Sequence, residues 1–172
     1  MKNPILKYGL ISGGLLLLLM SVPHLVWGSG IDYSMGEILG YSSMIVSMTV
    51  IFFGIRAFRD QKSDGVITFT QGMKAGTGIG LIAAAMFAVY SWILYRFLWP
   101  EFLHDYFEYS RDQVLESGES RAVISEKIAE MESMAGIFLN PELQALVMFA
   151  TVFVIALIVT LVSTLILKTK QV

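Results

Sequence analysis

Long apolar runs, separated by polar connections, form the main pattern of this chain. A helix that crosses a bilayer needs about 20 mostly apolar residues, and four runs are long enough. They predict spans at about 4–27, 35–58, 71–98 and 141–167. The longest polar connection, about 99–140, lies between the third and fourth spans.

Residues that favour helix starts stand at the beginning of these runs. Asn3 and Asn140 each precede a proline, so a capping side chain is followed by the residue that suits the first helical position. The spacing of a capping box, in which two side chains cap each other's backbone, occurs at Ser34 with Glu37 and at Thr68 with Gln71.

The segment at about 99–140 predicts two amphipathic helices, roughly 100–117 and 120–136, which Gly118 separates. Apolar residues return at helical intervals in both, and the opposite face of the first helix is acidic. The apolar positions are Phe102, Leu103, Tyr106, Phe107, Val114, Ile124, Ile128, Met131, Ala135 and Phe138. The segment holds nine acids and three bases, so its polar face should stay away from anionic lipid. We therefore expect a helical hairpin outside the bilayer.

The expected fold is all-α, an integral membrane four-helix bundle forming one domain over 1–172. An extracytoplasmic amphipathic helical hairpin joins spans three and four. The composition agrees, because 55% of the residues are hydrophobic and only 15% are charged, whereas a soluble domain has about 25% charged residues. The lipid bilayer is the expected partner of this surface. The chain has no cysteine, which excludes disulfides and thiolate chemistry.

The positions of lysine and arginine predict the orientation, because cytoplasmic loops carry an excess of both. Four crossings would put eight of the 12 basic residues on one side, namely Lys2, Lys7, Arg56, Arg59, Lys62, Lys74, Lys168 and Lys170. The other side would carry Arg96, Arg111, Arg121 and Lys127. This pattern predicts cytoplasmic termini. The first run could instead be a signal peptide cleaved at 28–30, although it is longer than the usual core of about 7–15 residues.

The stretch 71–90, QGMKAGTGIGLIAAAMFAVY, has glycines that resemble a phosphate-binding loop. A Walker loop places Lys-Ser/Thr directly after its last glycine, whereas Lys74 precedes these glycines, and their spacing differs from that of a dinucleotide loop. We therefore expect no nucleotide as a ligand. The chain also lacks the basic cluster that nucleic acid needs.

Small residues instead recur at every fourth position of this stretch. We call them the glycine stripe: Gly72, Gly76, Gly80, Ala84 and Ala88. Small residues at this spacing let membrane helices approach closely. The other spans contain matching small or hydroxyl residues, which are Gly9, Gly13, Gly36, Gly40, Ala156, Thr160 and Thr164. The pattern predicts a helix-packing seam, and the stripe packs either on a neighbouring span or on a second copy.

No charged residue stands in the middle of a predicted span, where a charge costs roughly 2.5–3.5 kcal/mol and usually marks a transport path. We therefore expect no catalytic residue, cofactor or metal, and classify the protein as not an enzyme. Two weaker candidates for chemistry remain. His24 and Glu37 could form a polar pair near the outer ends of the first two spans. Glu101 with His104 matches half of a di-iron motif.

The chain also resembles a known family. The stretches GEILGYSSMIVSMTVIFFGIRAFRD and GVITFTQGMKAG, the opening KYGLISG and the segment LNPELQ carry the resemblance. Its most particular marks lie at 36–37, 52–60 and 69–76. The chain is similar to the domain-of-unknown-function family 4199, small four-helix membrane proteins of bacteria. The resemblance implies an integral protein of the bacterial inner membrane, and it implies no activity, cofactor or catalytic residue.

Two hypotheses of function follow. The first is a non-enzymatic accessory or scaffold subunit that acts through helix packing and binds a membrane-protein partner with its outer hairpin. The alternative is a small oligomeric transporter or channel component, in which the glycine stripe would join subunits. An enzyme ranks third, with the acidic face around Glu101 and His104 as its candidate site.

Overall fold

The computed structural model describes residues 3–27, 33–62 and 65–169, and the regular structure in these ranges is helical. Seven α-helices are described: α1 (Pro4–Trp27), α2 (Tyr33–Met48), α3 (Val50–Lys62), α4 (Phe69–Ile93), α5 (Phe102–Leu115), α6 (Arg121–Phe138) and α7 (Pro141–Leu167). A π-helical turn, Leu94–Leu98, follows α4. The predicted all-α fold is confirmed for these residues.

Four helical segments in the described ranges are long and apolar enough to cross a membrane. They are Pro4–Val22, Tyr33–Gln61, Phe69–Leu98 and Pro141–Leu167. Each coincides with one of the four apolar runs of the sequence. The second segment contains both α2 and α3, and the third contains α4 with its π-helical turn.

The predicted caps are present at the starts of α1 and α7. Asn3 Oδ1 accepts a hydrogen bond from the backbone N–H of Ile5 at 3.0 Å. Asn140 Oδ1 accepts one from the backbone N–H of Leu143 at 2.9 Å. Each bond satisfies an amide in the first turn that has no partner within the helix.

Thr68 and Gln71 form the predicted capping box at the start of α4. The Gln71 amide donates to Thr68 Oγ1 at 3.3 Å, and the Thr68 amide donates to Gln71 Oε1 at 2.9 Å. The second predicted box differs, because α2 begins at Tyr33 and therefore already includes Ser34. Ser34 has helical backbone there and does not occupy the position before the helix.

The second apolar run is interrupted at Thr49, which separates α2 from α3. The Thr49 amide is shared between the carbonyl oxygens of Ile45 and Val46, at 3.2 Å from each. Its hydroxyl donates to the Val46 carbonyl at 2.6 Å. A hydroxyl that bonds back to its own helix in this way often bends the helix.

The chain divides into two compact units, 1–88 with 148–172, and 89–147. In the first unit α4 runs parallel to α1 and antiparallel to α3 and α7. The facing residues that set these directions are Gly9 with Ile82 and Gly13 with Met86 for α1, Ile55 with Gly76 and Ile51 with Gly80 for α3, and Thr164 with Gly72 and Ala156 with Gly80 for α7. The start of α1, the end of α3 and the end of α7 therefore share one end of this unit.

The second unit contains α5 and α6, which form the predicted hairpin. The two helices are joined through Gly118, whose φ of 72° lies in the left-handed region that favours glycine. Ser120 caps α6 by accepting a hydrogen bond from the Val123 amide at 3.5 Å. The five predicted apolar positions of α6 are half-buried, and the rest of that helix is exposed. The predicted amphipathic pattern is therefore present.

Candidate functional site

The glycine stripe of α4 faces α7 within the same chain. A methyl group built on each of its three glycines would come within 2.5 to 2.6 Å of the side chain opposite. The facing pairs are Gly72 with Thr164, Gly76 with Thr160, and Gly80 with Ala156. Because real methyl groups do not approach so closely, the two backbones are nearer here than any side chain on α4 would allow.

The stripe thus contacts the small and hydroxyl residues that the sequence showed on the fourth span. Ala84, one turn further along α4, is fully buried, and Ala88 is half-buried. Within the described residues, α7 occupies the surface along Gly72, Gly76 and Gly80 that a second copy would need. This part of the seam is a contact inside one chain.

A second seam joins α4 to α1. A methyl group on Gly9 would lie 2.8 Å from Ile82 Cβ, and one on Gly13 would lie 2.5 Å from Met86 Sδ. On α2, Gly40 is less tightly placed, because a methyl group there would have an ordinary contact of 3.7 Å with Met20 Cε. Gly36 is half-buried. Gly9 and Gly13 of α1 therefore belong to a tight seam, and Gly40 of α2 does not.

Sequence reasoning missed two close contacts of α4. A methyl group on Gly54 of α3 would clash with Ile79, and one on Gly78 would lie 2.9 Å from Ile5 Cγ2. Gly54 has no small residue four positions before or after it, so the repeat did not mark it. Gly78 lies between two glycines of the stripe, and its offset of two positions turns it away from α7. The alternation of Gly76, Gly78 and Gly80 was the signal in the sequence that could have revealed the contact of Gly78 with α1.

The buried hydroxyl groups of the first unit differ in whether they have a hydrogen-bond partner. Ser12 of α1 is fully buried and donates to the Ser47 carbonyl at 2.8 Å, next to the interruption of the second apolar run. The Ser47 hydroxyl bonds back to the Ser43 carbonyl at 2.7 Å. Thr160 and Thr164 are also fully buried, but their hydroxyl oxygens have no hydrogen-bond partner. Both face glycine Cα–H groups, which are weak donors.

The predicted polar candidates are not gathered into a site. Glu101 and His104 are both exposed. No group of three or more acidic or histidine side chains in the described ranges could hold a metal ion. The His24 side chain lies outside the described residues, so its predicted pair with the exposed Glu37 stays a prediction.

Aromatic rings form the contact between the two helices of the hairpin. Phe102 stacks on Tyr106 with ring centroids 6.0 Å apart, and Tyr106 stacks on Phe138 of α6 at 5.9 Å. Phe107 contacts the same Phe138 at 5.6 Å. On the other side of Phe102, Tyr95 of the π-helical turn stacks at 5.5 Å. This aromatic row fixes α6 on α5 and gives the hairpin a core of its own.

A groove of about 400 Å³ opens near the tip of the hairpin, between the end of α5 and the first turns of α6. Leu115, Ile124 and Ile128 form its apolar part, and Arg121 and Glu132 supply charges of opposite sign. The sequence placed Ile124 and Ile128 among the apolar positions of the second amphipathic helix. In the structure they remain half-buried and line this groove.

Comparison with known proteins identifies the family. Residues 7–169 match the family model described as "Protein of unknown function (DUF4199)". No curated protein and no solved structure matches the chain. The matched residues include all of α2 to α7 and most of α1, and the resemblance seen in the sequence is confirmed. The chain belongs to the DUF4199 family.

Proposed function

We propose that this chain is a multi-pass protein of the bacterial cytoplasmic membrane, with both termini in the cytoplasm, and that it serves as a non-enzymatic accessory or scaffold subunit. One observation carries the membrane part. The four candidate spans contact each other through small residues. They expose large apolar side chains, among them Leu18, Ile38, Ile45, Val89, Ile158 and Ile166. Soluble proteins rarely expose apolar surface on this scale, whereas lipid would cover it.

The hairpin supports the scaffold part of the proposal. It has its own aromatic core, so it can present a fixed surface without help from a partner. Its groove combines an apolar lining with one positive and one negative side chain. Such a mixture suits the binding of a protein segment, because an apolar centre with a polar rim is typical of protein interfaces.

Cysteine probes test both parts, because the natural chain has no cysteine. The Glu130→Cys variant places a thiol on the exposed face of α6, and Ile158→Cys places one on the exposed apolar face of α7 as the control. We expect the chain to stay in native membranes after alkaline extraction. We also expect the probe at 130, but not the probe at 158, to cross-link to one protein of defined mass. Release of the chain by alkali, or solute uptake by liposomes that contain only this protein, would refute the proposal.

The alternative is a small oligomeric transporter or channel component, in which the glycine stripe could have joined subunits. Because Gly72, Gly76 and Gly80 face α7 of their own chain, that alternative would need a different contact between subunits. The liposome measurement above also tests it directly.

A further inference from the structure

The two ends of α6 have different surfaces. Its first 12 of 18 residues carry Arg121, Glu126, Lys127, Glu130 and Glu132, whereas no residue between Glu132 and Glu142 is charged. The helix is therefore polar where it leaves the tip of the hairpin and apolar where it approaches α7.

The uncharged end of α6, residues 133–138, has more apolar surface than α5 covers. One side packs on α5 through the contact of Phe138 with Tyr106. The other side leaves Met134 52% exposed and Ile137 47% exposed, and Leu139, just after the helix, is 38% exposed. A helix that is apolar all around fits apolar surroundings on every side, and here α5 supplies them on one side only.

The position of this surface in the chain indicates what covers the other side. Only Leu139 and Asn140 separate α6 from α7, the most apolar of the four candidate spans. Four residues of fully extended chain reach about 14 Å at most, so Ile137 stays within that distance of Pro141. The interfacial layer of a bilayer begins where a span ends, and apolar faces of amphipathic helices are buried there.

The end of the third candidate span also exposes large apolar side chains, next to the exposed Arg96. Phe97 and Leu98 of the π-helical turn are 63% and 68% exposed, and Trp99 follows them. Tryptophan is enriched at the level of the lipid headgroups. The connection after α6 carries no charge from Ser133 to Pro141, whereas the connection before α5 carries Glu101.

From this arrangement we propose that the base of the hairpin, residues 133–139, lies in the lipid interface, with Met134, Ile137 and Leu139 among the acyl chains. The charged tip then stands in water. This inference rests on the proposed function, because it needs α7 to cross the membrane. It gives the hairpin a fixed depth and orientation on the bilayer, which would hold its groove at a set height for a partner.

Site-directed spin labelling of the full chain in phosphatidylcholine vesicles tests the inference. Single cysteines at Ile137, at Ala122 and at Ile158 would carry the label. Ala122 is exposed in the first turn of α6 and is the aqueous reference, and Ile158 is 59% exposed on α7 and is the lipid reference. Collision with oxygen, which dissolves in lipid, is compared with collision with a water-soluble nickel chelate.

We expect the oxygen-to-nickel accessibility ratio at 137 to be several-fold above that at 122 and to approach that at 158. A ratio at 137 equal to that at 122, with 158 in lipid, would overturn the inference and leave the proposed function standing. Shielding of 137 from both reagents would also overturn it, because protein and not lipid would then cover the surface. An aqueous result at 158 would refute the membrane proposal itself.

Discussion

Gly76 allows α4 to approach α7 so closely that no side chain fits between them. A methyl group there would lie 2.5 Å from Thr160 Cγ2 and 2.9 Å from Ile55 Cδ1. Thr160 is β-branched and has little freedom to rotate away, so we expect Gly76→Ala to lower the free energy of unfolding by about 1–3 kcal/mol. The measurement is unfolding of the purified chain by SDS titration in mixed micelles.

Gly14→Ala is the matched control for this change. Gly14 also lies within a helix, but nothing lies within 4 Å of a methyl group built there. The added methyl group should therefore leave stability unchanged or raise it by up to about 1 kcal/mol through helix propensity. Equal effects of the two variants would contradict the close approach at Gly76.

The buried hydroxyls predict opposite outcomes for two further substitutions. Ser12→Ala removes the hydrogen bond to the Ser47 carbonyl, and we expect a loss of about 0.6 to 1.7 kcal/mol. Thr160→Val keeps the shape of the side chain but removes a buried hydroxyl that has no partner, so stability should stay the same or rise. The same SDS titration measures both. A loss of stability in Thr160→Val would instead mean that its contact with the Gly76 Cα–H is stabilising.

Among the elements, the hairpin offers a comparison of two glycines that differ mainly in backbone conformation. Gly118 has a φ of 72°, Gly136 lies inside α6, and neither has an atom within 4 Å of an added methyl group. Gly118→Ala should destabilise the hairpin by about 1–2 kcal/mol, because a side chain is strained in the left-handed region. Gly136→Ala should be neutral or stabilising, by up to about 1 kcal/mol. Hydrogen exchange of the α5 and α6 amides in the full chain reads out this difference.

Faster exchange in the Gly118 variant alone is the expected result. Similar exchange in both variants would show that the turn does not limit the stability of the hairpin. Faster exchange in the Gly136 variant alone would mean that the end of α6 has a neighbour which the described residues do not include.

The helix limits could largely be predicted from the sequence, because local chemistry sets them. Asn3, Asn140 and the pair Thr68 with Gln71 cap helices in the structure as their spacing indicated. The interruption at Thr49 could not be predicted. Threonine in an apolar helix usually bonds back to its own turn without ending the helix. Here Ser12 of another helix also donates a hydrogen bond to the carbonyl of the nearby Ser47. The local sequence around Thr49 does not indicate such a contact between helices.

At the scale of the whole molecule, the residues of the seam between α4 and α7 could be predicted from the sequence, but which residue faces which could not. A repeat of four on α4 and on α7 allows several alignments, and it fits a second copy as well as a neighbouring helix. The alignment depends on every helix around α4. The glycine stripe fixes the position of α7, and two other close contacts fix α1 and α3 in the same way, namely Gly78 with Ile5 and Gly54 with Ile79. Neither of these pairs belongs to a repeat.

The orientation of the chain in the membrane can be tested at two segments that the structure brings together. The Thr169 amide donates to the Ile67 carbonyl at 3.0 Å, and the Ile67 amide donates to Thr169 Oγ1 at 3.1 Å. The connection before α4 and the residues after α7 therefore lie together, on the side to which the excess of lysine and arginine assigns the cytoplasm. We therefore expect that, in intact spheroplasts, a thiol reagent that cannot cross membranes does not reach cysteines on that side.

Val66→Cys and Ala122→Cys form a matched pair of exposed probes for this measurement. In intact spheroplasts the reagent should label the probe at 122 and should reach the probe at 66 only after the membrane is permeabilised. The reverse pattern would invert the orientation but keep the four crossings. Labelling of both probes in intact spheroplasts would place them on one side, and α4 with its π-helical turn would then not cross the membrane. Because one candidate span, Phe69–Leu98, lies between the two probes, this comparison tests the third crossing independently of the charge count that predicts its direction.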